Sequence, residues 1–211
     1  MDDRCLLFFI KYPEKGRVKT RLATSIGDER ALKLYKTILL NTLSLLNQGT
    51  FLSYLCVDPA EALGNFKKWL GEDYLYIPQQ GEDLGERMKN GFLEAFAMNF
   101  KRVLLIGSDI PDLPLGYIEE AFVSLKEKEV VIGPSFDGGY YLIGFKDETF
   151  SLQVFKGIPW GTERVLEQTT KRLEREGRTI HFLPPLRDMD TIEDLRNLSK
   201  ALQPSYRKEE G

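Results

Sequence analysis

The stretch Val103-Leu104-Leu105-Ile106-Gly107-Ser108-Asp109 constrains this chain more than any other. Four consecutive apolar residues, preceded by Lys101-Arg102 and followed by Gly107-Ser108, fit a strand covered on both faces, as in a parallel sheet. The run stops at Asp109, and a turn through Ile110-Pro111-Asp112 leads into a helix-like segment. In open α/β sheets, ligands bind beyond the carboxyl ends of the strands. A carboxylate placed there can hold a divalent cation against a phosphate. The same side chain would also serve to cap the turn that follows it.

The rest of the chain extends the pattern. Apolar runs predict strands over 4–10, 50–57, 74–77, 130–134, 140–145 and 179–183. Helical spacing predicts helices over 28–47, 60–70, 86–99, 115–128, 162–176 and 191–202. Ser25-Ile26-Gly27-Asp28 resembles a capping box for the first helix, and Thr162 reads as an N-cap. This alternation indicates an α/β fold of three layers around a mixed, mostly parallel central sheet. The strands near Val130 and Tyr140, joined only by Asp137-Gly138-Gly139, break the alternation and suggest an antiparallel or mixed edge.

Length and charge narrow the class. The 211 residues suit a single domain over 1–203, with a polar tail at 204–211 expected to fray. A net charge of -3 argues against nucleic-acid and anionic-membrane partners. Cys5 and Cys56 lie in apolar runs, as buried reduced thiols do. The apolar run ending at Ile10 is too short for a signal peptide or a membrane span, so a cytoplasmic location is the expectation. Oligomeric state is not written in the sequence.

The residues able to do chemistry are cations and aspartates. Lys11, Lys15, Gly16, Arg17, Lys19 and Arg21 occupy a loop between the first strand and a helix, where backbone N–H groups and the helix dipole favour anions. Arginine there would bind phosphate bidentately. The loop lacks the spacing of a Walker A or dinucleotide motif, and a solvated basic surface is the plainer alternative. Asp109, Asp137 and Asp190 each follow an apolar strand, so the three are expected along one rim of the sheet. Two carboxylates with phosphate oxygens and water would suit Mg2+ or Mn2+. Asp188 competes with Asp190 for one such role, and either would also serve as a helix cap. The single histidine, His181, sits mid-strand, which leaves no Ser-His-Asp or Cys-His mechanism. Phosphoryl chemistry by positioning and charge neutralisation needs neither. Gly81 and Gly85 would let a base or phosphate approach the backbone of 79–87, or simply join a strand to a helix capped by Asp83. Trp160 and Thr162, at a helix start, would enclose an acceptor or belong to the core.

Several motifs recur together in order. Lys-x-Pro-x-x-Gly-x-x-Lys-Thr-Arg-Leu at 11–22, Gly-Ser-Asp-Ile-Pro-Asp-Leu at 107–113 and Gly-Pro-Ser-Phe-Asp-Gly-Gly-Tyr-Tyr-Leu-Ile-Gly at 133–144 are joined by Ile-Pro-Trp-Gly-Thr at 158–162 and Asp-Met-Asp-Thr-Ile-Glu-Asp-Leu at 188–195. Jointly they resemble the bacterial glycosyltransferase-A-like proteins related to phospholactate guanylyltransferases, over nearly the whole chain. The resemblance implies the nucleotide-diphospho-sugar transferase fold. It also implies that Asp109 matches the metal-binding aspartate, Asp190 its later partner, and Lys19 and Arg21 the phosphate-contacting cations. The first loop departs from the glycine-rich form common among nucleotidyltransferases of this fold, since Gly16 is its one glycine.

Together these readings predict a metal-dependent transferase using a nucleotide triphosphate or nucleotide sugar and a small acceptor of unknown identity. Lys11, Gly16, Lys19, Arg21, Gly81, Gly85 and Ser108 are expected around the nucleotide, and Gly138, Gly139, Trp160 and Thr162 around the acceptor. Asp137 would orient the acceptor or act as its base. A catalytically silent nucleotide-binding protein is the alternative from another class.

Overall fold

The structure, a computed structural model, describes residues 3–197. The apolar runs become β1 (Arg4–Lys11), β2 (Leu52–Asp58), β3 (Leu75–Pro78), β4 (Arg102–Ile106), β5 (Val130–Pro134), β6 (Tyr140–Lys146) and β7 (Ile180–Phe182). Among the described residues they make one sheet, ordered β3-β2-β1-β4-β6-β5-β7. β2 and β4 flank β1 in parallel, β3 extends β2, and β7 lies parallel to β5. Only β6 runs backwards, antiparallel to both β4 and β5. The reversed strand is thus interior and not at an edge, as the short turn had suggested. The hairpin closes β6 on β5, but β6 also takes the remaining side of β4.

The strand sequences explain the layering. In β1 every residue from Cys5 to Ile10 is buried, so both faces of the strand are covered. Leu6, Phe8 and Ile10 pack with α2 (Asp28–Leu46), α3 (Leu63–Leu70) and α5 (Leu115–Ser124). Cys5, Leu7 and Phe9 pack on the opposite side with α4 (Leu84–Ala97) and α6 (Val165–Arg175). Phe92 of α4 anchors that second layer. It is fully buried, and its ring lies 5.2–6.1 Å from those of Phe96, Phe145, Phe150 and Phe155. Cys5 and Cys56 are free and buried, and burial pushes the Cys5 thiol up to about 12.

Several helix boundaries differ from the predicted ones. An additional short helix, α1 (Thr20–Ile26), occupies what read as loop, and it places Ser25 inside a helix. The N-cap of α2 is Gly27 (φ 85), with no side-chain cap, so the Ser25–Asp28 capping box does not form. Gly27 ends α1 through its N–H to Ala23 and opens α2. Asp28 and Glu29 then lie in the first turn of α2, where they complement the helix dipole. The helix beginning near Thr162 starts instead at Val165, because the Thr162 hydroxyl donates back to the Pro159 carbonyl at 2.8 Å. α4 starts at Leu84, capped by Asp83, which accepts from the Glu86 amide at 2.8 Å. α7 (Ile192–Arg196) opens with a capping box between Thr191 and Asp194, so neither Asp188 nor Asp190 caps it. The predicted continuation of that helix to 202, and the boundary at 203/204, lie outside the described residues. His181, on the edge strand β7, pairs with Glu120 at 2.8 Å. No helix among the described residues is long and apolar enough to cross a membrane.

Candidate active site

Six strands point their carboxyl ends to one edge, and the β5–β6 turn lies there as well. A cavity of about 670 Å³ opens at this edge. It is built from three segments. The first leaves β1 at Lys11, turns at Gly16 (φ 76) and reaches Lys19 at the start of α1. Leu22, the buried residue of α1, packs with Leu34 and Ile38 of α2 and so fixes the helix that follows Lys19. The second segment leaves β4 through Gly107 and Ser108 to Asp109. Ser108 is buried, and its hydroxyl lies 3.4 Å from that of Tyr35, which in turn bonds both the amide and the carbonyl of Lys11.

The third segment, 186–190, runs beside the end of β5 through reciprocal backbone bonds, Leu186 to Pro134 and Phe136 to Leu186. Met189 is swallowed by the Leu22–Leu34–Ile38 cluster, and its amide donates to the Asp109 carbonyl at 2.9 Å. This places Asp188 and Asp190, on either side of a buried methionine, at the cavity wall next to Asp109.

The centre of the cavity is one ammonium between two carboxylates. Lys19 Nζ bonds Asp109 Oδ1 closely and Asp190 Oδ1 at 3.1 Å. Its side chain is 2% exposed, whereas those of Asp109 and Asp190 are 49% and 40% exposed. Burial by itself would drive the lysine pKa down, but Asp109 and Asp190 more than offset it, and the group stays charged. Lys19 also has a left-handed backbone (φ 49, ψ 41), which for a residue with a Cβ costs roughly 1–3 kcal/mol. Such a conformation persists only where its surroundings impose it.

Asp188 is the group that sequence reading placed only as an alternative. Its Oδ2 is buried without a hydrogen-bond partner. Burial, reinforced by Asp137, Asp109 and Asp190, pushes its carboxyl up to about 7. On the facing wall Asp137 Oδ1 accepts from the Ser135 hydroxyl and from the Gly139 amide, which fixes the orientation of that carboxylate.

Of the residues singled out in the sequence, Lys11, Lys19, Arg21, Ser108, Asp109 and Asp137 line this one cavity, and so do Gly139, Trp160, Thr162 and Asp190. Gly16, Gly81, Gly85 and Gly138 do not line it. A Cβ on Gly81 would sit 2.7 Å from Glu86 Cβ and 2.8 Å from the Arg87 amide, so that glycine serves the first turn of α4. At Gly85 a Cβ would lie 2.7 Å from both the Phe155 carbonyl oxygen and Trp160 Nε1, so the helix packs directly on the indole. Gly138 (φ 87) lets the hairpin press against the backbone of Glu163, and its carbonyl accepts from the Leu166 amide at 2.9 Å. Gly138→Ala is therefore expected to lower stability by about 1–3 kcal/mol. A thermal melt reads this directly, and an unchanged midpoint would show that the hairpin yields freely.

Sequence reading passed over Gln79, Glu82 and Arg87 as single residues, yet all three line the cavity. Arg87 bonds Asp58 Oδ1 at 2.8 Å and the Gly81 carbonyl at 3.2 Å, tying the 79–87 loop to the end of β2. The cation in the first turns of α4 was the available signal, but its partner Asp58 lies at the end of β2, remote in sequence.

Among the described residues, no three carboxylate, imidazole or thiol groups converge as a self-sufficient metal cage. A hard divalent ion needs no such cage when phosphate oxygens and water complete its shell. Asp109 and Asp190, already turned toward one shared cation, with the unpartnered Asp188 oxygen nearby, fit such an ion.

Residues 42–162 match the profile of a family described as "Uncharacterized protein conserved in bacteria (DUF2064)". The chain belongs to this family. A crystal structure from Desulfovibrio desulfuricans, described as a candidate nucleotide-diphospho-sugar transferase, is 41% identical to this DUF2064 member. The match has a TM-score of 0.92 and covers 99% of this chain and 91% of that one. More distant structures share the fold alone. The 4-diphosphocytidyl-2C-methyl-D-erythritol synthase of Anaerococcus prevotii aligns at TM-score 0.60 and 12% identity, over 96% of each chain. The inositol-1-phosphate CTP transferase of T. maritima aligns at 0.57 and 14%, over 100% of this chain and 97% of that one. No curated protein matches the chain in sequence. The DUF2064 member thus has the α/β fold of the nucleotide-diphospho-sugar transferases, with the mixed, mostly parallel sheet expected from its sequence.

Proposed function

We propose that this DUF2064 protein is a divalent-metal-dependent transferase whose donor is a nucleotide-diphospho-sugar. The observation that carries the reading is the Asp109–Lys19–Asp190 cluster, a buried cation between two half-exposed carboxylates at the carboxyl edge of the sheet. The similarity to the D. desulfuricans protein supports the same donor class. Asp109 and Asp190 would hold Mg2+ or Mn2+, which when bound would neutralise charge on the donor phosphates.

The chain's own residues do the rest. Lys19, Arg21, Lys11 and Arg17 line the cavity and present positive charge to the phosphates. Ser108, held by Tyr35, fixes the backbone leading into Asp109. Asp137, oriented by Ser135 and Gly139, faces the same space and receives the proton of the acceptor hydroxyl. Trp160 and Thr162 wall the cavity on the acceptor side. In glycosyl transfer the bond between the anomeric carbon and the phosphate oxygen breaks, and a nucleoside diphosphate leaves.

A second reading is nucleotidyl transfer, guanylyltransferase-like in the resemblance of its motifs. It is favoured by the number of cations on the cavity wall, since a triphosphate carries more charge than a diphosphate. There the acceptor oxygen attacks the α-phosphorus and pyrophosphate leaves. Incubation with nucleoside triphosphates, nucleotide sugars and small phosphorylated acids separates the two. Nucleoside diphosphate release supports the first reading, and pyrophosphate release the second. Metal-dependent nucleotide binding with no turnover of any donor would mark a silent binder and overturn both.

A further inference from the structure

We propose that Lys19 is the resident cation of this site and competes with the divalent ion for Asp109 and Asp190, so that metal is taken up together with the nucleotide and not alone. The inference rests on the metal-dependent reading above and adds an order to it.

Lys19 Nζ already occupies the space between the two carboxylate oxygens, bonded to both. A divalent ion claiming the same oxygens has to displace the ammonium. In its present position the ammonium is 2% exposed, so displacement without a new partner leaves a buried charge unpaired. A buried charge stripped of its partners is strongly destabilising, which opposes uptake of the metal by itself. Phosphate oxygens remove that opposition, since they accept from the ammonium and also complete the shell of the ion. When Lys19 turns to phosphate it leaves Asp109 and Asp190 uncompensated beside Asp188, and a divalent ion brings two positive charges to those two carboxylates.

The test reads metal binding and not activity. Mn2+ alone is titrated into the protein, and its bound fraction is followed by water-proton relaxation and by the electron paramagnetic resonance of the free ion. Wild type should bind weakly. Lys19→Met should bind one Mn2+ at least about tenfold more tightly, the factor expected if the competent, lysine-free form is about a tenth of the wild-type population. Adding Asp109→Ala to Lys19→Met should remove the gain. Lys19→Gln, which keeps a hydrogen-bond donor without the charge, should behave as Lys19→Met does and covers the case in which the methionine variant does not fold. If neither variant binds Mn2+ more tightly than wild type, the competition is overturned. Should wild type then still take up Mn2+ with a nucleoside triphosphate in an Asp109-dependent way, the proposed function stands without it. If no form binds Mn2+ with or without nucleotide, both readings fall.

Discussion

Asp109→Ala is expected to lower turnover by roughly two to three orders of magnitude, the usual effect of removing one preorganised group that stabilises charge at a reacting centre. The substitution deletes one of the two carboxylates around Lys19 and leaves the ammonium with Asp190 at 3.1 Å. Because Asp190 remains and Asp109 is half exposed, the fold should be little affected. Loss of activity with an unchanged circular dichroism spectrum and melting midpoint is the expected pair of results. Turnover within about threefold of wild type would remove Asp109 from the centre of the chemistry. A collapse of the melting transition would instead recast the cluster as a structural ion pair. The comparison with Asp190→Ala is informative, because the two residues reach the same ammonium from segments far apart in the chain.

The largest effect on stability is expected from Phe92→Ala. Phe92 is fully buried and packs against four other phenylalanine rings at 5.2–6.1 Å, distances at which aromatic pairs attract beyond their buried area. Truncation leaves a cavity among α4, β6 and the 150–155 segment that these cannot all close, and comparable substitutions cost about 3–5 kcal/mol. For a chain of this length each kcal/mol moves the midpoint by roughly 2–4 °C, so the expected drop is about 6–20 °C. Below the transition, activity should persist, since Phe92 does not line the cavity. A fall of less than about 4 °C would mean that Phe145, Phe150 and Phe155 relax into the space.

The sequence exposes the parts of this fold that depend on local pattern. β1 and β4 are legible because both faces are buried, which makes the runs Cys5–Ile10 and Val103–Ile106 continuously apolar. The position of β6 is not legible. Its hairpin with β5 follows from the short turn, but its bond to β4 is a choice among distant partners that no local pattern records. α1 is hidden for a different reason, since its seven residues bury Leu22 and present no longer apolar face. Among the site residues, the aspartates at strand ends and the cations of the first loop were visible as types in position. The burial of Asp188 was not, because it depends on Met189 being drawn under α1 and α2. Of the glycines singled out in the sequence, Gly139 lines the cavity, whereas Gly16, Gly81, Gly85 and Gly138 do not. A Cβ at Gly81, Gly85 or Gly138 would meet neighbouring backbone, Glu86 Cβ or the Trp160 indole, contacts between segments that no local pattern records.

The distances along the chain between the members of the central cluster bear on its history during synthesis. Lys19 and Asp109 are 90 positions apart, and Lys19 and Asp190 are 171 apart. A chain emerging from its amino end can dock β4 on β1 and bring the first pair together while much of the sheet is still unmade. Asp190 arrives only after β5, β6 and β7 have been produced. The nascent protein therefore carries a basic loop that can find one acid early and must wait for the second. A partly made chain would hold phosphate-attracting charge before Asp190 has been produced, and the full cluster needs segments from both ends of the described fold.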